Sequence, residues 1–300
     1  MTFDEAFALV EARDVDGLRT AVAQHPELLT AVGRGGNDLL AFAAGTCDER
    51  LVRVLLDAGA DVHRGNVHGW TPLHQAGYSG LPLMARMLLD AGARVDVSAR
   101  GEGGTPLTAA LFWGHREVAE VLAAQGIHPA NLRVAAGLGD LAQATAPGAG
   151  REFYRPHSGF PEWQPSDDPQ ELVDEALSWA ARSDRVEVLG ELVERGARPD
   201  AEVYRGTAMA WAASRGRVAA VVRLLELGAN PNQRTGFGGP MHGNGTTALH
   251  LAAESGHLDV IRVLLDADAD VTVHDETHDA TPASWAEHGG HPAAVALLTR

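Results

Sequence analysis

The sequence predicts an all-α solenoid, a stack of short helix pairs interrupted by loop insertions. Three observations carry that expectation. The tetrapeptide Thr71-Pro72-Leu73-His74 recurs as Thr105-Pro106-Leu107-Thr108, as Thr247-Ala248-Leu249-His250 and as Thr281-Pro282-Ala283-Ser284, at intervals of 34, 142 and 34 residues. The composition is 45% hydrophobic but only 5% aromatic, with 34 Gly, which suits many thin layers of small and aliphatic side chains. In 258–265, LDVIRVLL, apolar residues cover most of a helix circumference, as a middle layer of a stack requires.

Each tetrapeptide leads into an Ala-rich stretch, a Gly, often a His, and then an aliphatic run. The fullest copy is TALHLAAESGHLDVIRVLLDADADV, residues 247–271. This pattern resembles the ankyrin repeat family, for which a period of about 33 residues and a T-P-L-H-x-A motif are established. The resemblance covers essentially the whole chain. It implies an ankyrin-type α-solenoid of about nine helix-pair units in a single domain, 1–300.

The elements follow in order. Residues 3–25 read as a first helix pair with no finger before it. Asp38 stands at the Thr position of the second unit, and Thr71 and Thr105 at that of the next two. Ala130 begins a degraded fifth copy, and Glu175, Thr207, Thr247 and Thr281 open the last four. A Thr there can cap the helix, and Pro at the next position needs no amide donor. Gly59, Gly92, Gly196 and Gly228 fall where a left-handed C-cap is wanted. One unit cannot bury both of its faces, so stability comes from stacking on neighbours, and Leu264 is expected between layers. Cys47 stands at a repeat Gly, in a turn between helices, and is expected to have no catalytic role.

Charge excludes several functions. The formal net charge is −16, and all 24 basic residues are Arg, with no Lys. A nucleic-acid backbone and an anionic membrane surface both call for a basic face. Without Lys there is no Schiff base and no Walker-type phosphate loop. No run of 18 apolar residues is present, and the first residues carry acids where a signal peptide carries bases. The single Cys permits no internal disulfide and suits a reducing cytoplasm. The Arg-for-Lys bias points to a GC-rich, bacterial source. No cofactor is implied.

Departures from the period mark two loops. The interval from 130 to 175 is about 12 residues longer than the repeat and holds an insertion, 146–168. The interval from 207 to 247 is long because of an enlarged finger, 234–245, TGFGGPMHGNG at its centre. Both precede inner helices and so share an edge. The insertion carries Phe153, Tyr154, Phe160 and Trp163, and disordered segments are poor in aromatics. Residues 151–168 are therefore expected to fold back toward 235–245, over Trp179 and Trp211. Asp168-Pro169-Gln170-Glu171 reads as a capping box for the following helix.

In the ankyrin family, the two residues between the Ala pair and the Gly commonly face the concave groove. Here these include Tyr78, Phe112 and Trp113, Arg182, Arg215, and His288; Trp70 stands just before its tetrapeptide. Helical spacing sets Trp179 beside Arg182 and Trp211 beside Arg215. The resemblance implies a binding module, so Trp70, Tyr78, Phe112, Trp113, Tyr154, Trp163, Trp179, Arg182, Tyr204, Trp211, Arg215 and His288 are the candidate partner contacts. The partner is a protein or peptide, and −16 favours a basic one.

An alternative is an enzyme or small-molecule binder whose pocket lies under the two loops. His157 or His242 would then be general acid or base, with Arg182 and Arg215 holding a small anionic or aromatic ligand. Fourteen His invite a metal, but His74, His115, His250, His257 and His291 occupy repeat positions, and His274 and His278 lie in a solvated finger. No metal site is assigned.

Overall fold

The computed structural model describes residues 1–99, 104–127, 130–144, 168–203, 206–237 and 243–299. These residues form seventeen α-helices, with no strand beyond the isolated bridges Val203–Gly206 and Thr235–Thr246. They divide into two compact units, one drawn from Met1–Pro129 and one from Ala130–Ala149 and Pro156–Arg300.

The first unit holds four helix pairs: α1 (Phe3–Glu11) with α2 (Val15–Gln24), α3 (Leu39–Gly45) with α4 (Glu49–Asp57), α5 (Pro72–Ser79) with α6 (Pro82–Asp90), and α7 (Pro106–Phe112) with α8 (Arg116–Ala123). Inner helices α1, α3, α5 and α7 pack in sequence, as do outer helices α2, α4, α6 and α8. The outer helices are amphipathic: α4 buries Leu51, Val52, Val54 and Leu55 and leaves its Arg side chains outside. Inner helix α1, at the end of the stack, buries only Ala6 and Val10, whereas every residue of α7 is buried. The small Ala residues of the inner helices permit such close layers.

The second unit opens with α9 (Leu132–Leu138), which is followed by a short 3-10 turn, Leu141–Gln143. Four pairs follow: α10 (Pro169–Arg182) with α11 (Val186–Glu194), α12 (Ala208–Ser214) with α13 (Val218–Glu226), α14 (Ala248–Glu254) with α15 (Leu258–Asp266), and α16 (Pro282–His288) with α17 (Pro292–Leu298). Inner helices pack α9 on α10, α10 on α12, α12 on α14 and α14 on α16. Leu264 is fully buried with Val260 and Ile261 in the core of this unit.

One expected cap forms and one is corrected. Asp168 caps α10 as expected, accepting from the Gln170 amide at 2.9 Å, so Glu175, at the Thr position of the repeat pattern, lies inside that helix. The reason is local: Asp168 caps, Pro169 tolerates the first position, and PQELVDEAL continues with good helix formers. Asp174 ties this added length to the next turn, since its carboxylate accepts from the Arg198 amide at 2.7 Å and from the Arg198 guanidinium at 3.0 and 2.6 Å. In the degraded copy the cap is Asn131, accepting from Val134 at 2.9 Å, rather than Ala130.

The Thr caps form as expected, with Thr105, Thr207 and Thr281 accepting from Thr108, Ala210 and Ser284 amides. Thr71 and Thr247 make reciprocal boxes with His74 and His250. In both, the His Nδ1 accepts from the Thr amide at 3.1 Å, so Nε2 carries the proton. That Nε2 donates across to the next finger, to Gly104 O at 2.9 Å and Ala280 O at 3.2 Å.

The turn between paired helices needs a left-handed residue. Gly80, Gly139, Gly216 and Gly256 supply it with φ of 66–82°. Arg13, Cys47 and Asp184 adopt it at φ of 56–59° despite carrying Cβ atoms.

Candidate partner-binding face

The inner-helix ends of the first unit carry a chain of aromatic rings. Trp70 and Tyr78 lie edge-on with centroids 6.1 Å apart, Tyr78 and Trp113 at 5.3 Å, and Phe112 and Trp113 at 5.2 Å. Edge-to-face packing of this kind fixes ring orientation. The Trp70 indole donates to Gln75 Oε1 at 3.2 Å, and Gln75 in turn donates to Ser79 at 2.8 Å. Trp70 and Phe112 are buried, while Tyr78 and Trp113 are half-buried. His115 Nε2 donates to the Tyr78 carbonyl at 3.0 Å and locks the end of α5 in place.

In the second unit, Arg and Trp alternate across the repeat interfaces. The Arg133 guanidinium, on α9, sits 5.9 Å from the Trp179 ring centre and pairs with Glu175 at 2.8 Å. Arg182 lies 3.9 Å from the Trp211 ring centre and donates to Ser178 Oγ at 2.7 Å and to the Ser178 carbonyl at 3.2 Å. Phe237, at the start of the enlarged finger, meets the Trp211 ring at 4.8 Å. Sequence spacing set each Arg beside the Trp of its own helix. The observed stacking of Arg182 is instead on the Trp one repeat further along, because the stacked layers bring α10 and α12 side by side.

Burial decides what these groups can do. Trp179, Arg182 and Trp211 are 4%, 1% and 1% exposed, so in this arrangement they join layers rather than present a surface. Burial also pushes the Glu175 carboxyl above its usual range, with Arg133 and Arg182 opposing and Glu171 adding to the rise. Arg215 is half-buried and His288 is exposed. Of the remaining candidates, Tyr154, His157, Trp163, Tyr204 and His242 lie outside the described residues, as do 151–167 and 238–242, on which the meeting of the two loops depends.

Among the described residues, no group of three or more His, Cys, Asp or Glu is arranged to hold a metal ion. Asp275 instead organises its fingertip. It accepts from the Thr277, His278 and Ala280 amides at 2.8, 2.7 and 3.1 Å and from the Trp285 indole at 3.0 Å. Burial opposes its ionisation, but these donors together hold its carboxyl below the usual range. Among the described residues, no helix is long and apolar enough to cross a membrane.

Several structural residues were invisible to pattern reading. Arg133 and Glu175 are far apart in sequence and pair only once α9 meets α10. Glu202 anchors the base of the enlarged finger, accepting from the Gly236 amide at 2.6 Å and Thr235 Oγ1 at 3.2 Å. Arg185 and Arg217 stand at the His position of the repeat, the one signal that could have exposed their role.

Stacked helix pairs joined by capped fingers define an α-solenoid. Comparison with known families is in accord: the family described as Ankyrin repeats (3 copies) matches residues 22–99 and 40–132, and Ankyrin repeat matches 206–236 and 244–276. The chain belongs to the ankyrin repeat family, whose arrays are protein-interaction modules. Among its relatives, a mouse protein fem-1 homolog A-like is 34% identical over 101 residues, 34% of this chain and 15% of that protein. The fruit-fly E3 ubiquitin-protein ligase Ufd4 is 33% identical over 120 residues, 39% of this chain and 4% of the ligase. Mouse protein phosphatase 1 regulatory subunit 27 is 44% identical over 55 residues, 18% of this chain and 35% of that subunit. The chain thus spans only a small part of the relatives it matches.

Proposed function

We propose that this chain binds a protein or peptide partner along the C-terminal ends of its inner helices, and that the partner is net basic where it docks. The observation that carries this is the edge-to-face pair Tyr78–Trp113, half-buried and held at 5.3 Å on the groove positions of two successive repeats. Rigid aromatic rings on a preformed scaffold give contact area at small cost in side-chain entropy. In the second unit, Arg215 and His288 occupy the corresponding positions with surface remaining. The buried Trp179, Arg182 and Trp211 set the spacing of the repeats beneath them. The net charge of −16 supplies long-range attraction for a cationic segment. The one Cys, exposed in its turn, suits a reducing cytoplasm.

The test is retention of partners from the native cell by wild type and by Tyr78→Ala/Trp113→Ala, identified by mass spectrometry at low and raised salt. The reading expects a basic partner that wild type holds at low salt, that raised salt weakens, and that the double variant loses. Equal retention by both proteins removes it.

A further inference from the structure

The four rings of the first unit fall into two kinds. Trp70 and Phe112, at the ends of the row, are 7% and 3% exposed. Tyr78 and Trp113, between them, are half-buried and keep surface. Each ring stands nearly at right angles to the next: 76° for Trp70 and Tyr78, 80° for Tyr78 and Trp113, and 82° for Phe112 and Trp113. The buried end rings hold the middle pair in orientation, and the planes of that pair meet as a corner.

An aromatic face carries negative potential and attracts a cation laid on it. The second unit uses this chemistry within the chain: the Arg182 guanidinium lies 3.9 Å from the Trp211 ring centre, and both residues are 1% exposed. The rings of Tyr78 and Trp113 differ in lying partly at the surface. The two helices that carry them are themselves uncharged, since residues 71–85 and 103–115 contain no Asp, Glu or Arg. Residues 1–129 as a whole carry 16 acidic residues against 10 Arg. A cation is drawn in by the long-range field, and α5 and α7 then offer it ring faces without a carboxylate of their own. That combination discriminates between the basic side chains. An ammonium is compact and strongly hydrated, whereas a guanidinium is planar, weakly hydrated and stacks on aromatic faces.

We propose that Tyr78 and Trp113 receive an arginine side chain of the bound partner, its guanidinium stacked on the ring faces. This rests on reading the inner-helix ends as the partner face, and it names the residue of the basic partner that this face selects. Each ring contributes about two- to fivefold to binding, the size of a cation–π contact at an exposed site.

The test uses the whole chain and three peptides of one design: acetyl-Gly-Arg-Gly-Arg-Gly-amide, its lysine counterpart and its citrulline counterpart. Lysine keeps the charge without the plane, and citrulline keeps the plane without the charge. The indole N–H resonance of Trp113 is followed by NMR in 15N-labelled protein at constant low ionic strength. The expected result is a saturable shift with the arginine peptide, affinity at least about threefold lower for lysine, and no saturable shift with citrulline. Tyr78→Leu weakens arginine binding about two- to fivefold. Trp113→Leu, followed at the Gly114 amide, abolishes the preference for arginine over lysine, and Trp113→Phe, which keeps a ring, retains part of it. Equal affinity for the arginine and lysine peptides overturns the proposal, as does a citrulline peptide that binds as well as arginine, or an arginine preference that survives Trp113→Leu. If these peptides fail while the partner from the native cell is still lost from Tyr78→Ala/Trp113→Ala, the face stands and only its choice of arginine falls.

Discussion

The Arg217 guanidinium donates through Nε to the main-chain carbonyl of Arg182 at 3.2 Å, a bond from the start of one outer helix to the end of the preceding inner helix. Arg185 makes the same reach to the Gly137 carbonyl at 3.2 Å. Elsewhere His does this: His115 to Tyr78 at 3.0 Å and His257 to Ser214 at 3.3 Å. Each bond satisfies one of the carbonyls that a helix end leaves over. The position thus demands a donor of a given reach, and two residue types meet it.

Replacing Arg217 by Ala should therefore destabilise the chain by about 1.5–3 kcal/mol, the range for a hydrogen bond that involves a charged group. Arg217→His should recover most of the loss, since His fills the same role in neighbouring repeats. Urea denaturation of the three proteins measures this. Equal stability of the Ala and His variants would show that the bond contributes nothing.

Cys47 sits at φ 59° where other repeats carry Gly. Relief of that conformation outweighs the added freedom of the unfolded chain, so Cys47→Gly should stabilise by about 0.5–1 kcal/mol. Cys47→Ser should leave partner binding intact. Thermal unfolding reads the first and a binding assay the second; a destabilised Gly variant would contradict the strain argument.

The Arg133–Glu175 pair has side chains only 4% and 7% exposed. Removing one member strands a buried charge, so Glu175→Leu or Arg133→Met alone should cost about 3–5 kcal/mol. The double variant Arg133→Met/Glu175→Leu should lie much closer to wild type. A double-mutant cycle by denaturation checks this, and additive losses would show that the two residues act independently.

Much of this architecture was legible in the chain itself. Thr71, Thr105, Thr247 and Thr281 disclosed the repeat because a cap and its Pro or Ala successor are local chemistry, readable in four residues. Asp168-Pro169 is readable in the same way, and α10 starts there although Glu175 holds the Thr position of the pattern. The same locality explains what was missed. The stacking of Arg182 on Trp211 depends on which layer lies beside which, and helical spacing within α10 carries no information about that. For the candidate site, the repeat pattern names the groove positions only as a row. Their division into buried Trp179 and Trp211 and half-buried Tyr78 and Trp113 comes only from packing.

Acid should loosen the fold through His250. Its Nδ1 accepts from the Thr247 amide at 3.1 Å, so that nitrogen must be unprotonated. Burial, ahead of the opposing Ala280 carbonyl and Asp275, holds its pKa below the ordinary 6.5. A depressed pKa contributes stability that is present above 6.5 and lost as pH falls through the lower folded value. Denaturation midpoints should fall over that window in wild type and fall less in His250→Asn. Parallel slopes for the two proteins would assign the acid sensitivity to other groups.

The central claim, that partners dock on the inner-helix ends, is tested most directly by site-specific photocross-linking in the native cell. A photoreactive phenylalanine analogue is placed in turn at Tyr78, at Trp113 and at Leu83, which lies on outer helix α6 and is 51% exposed. The account predicts that positions 78 and 113 capture the same partner polypeptide and that 83 captures none. Capture of that partner from position 83, with none from 78 or 113, would place docking on the outer helices and contradict the account.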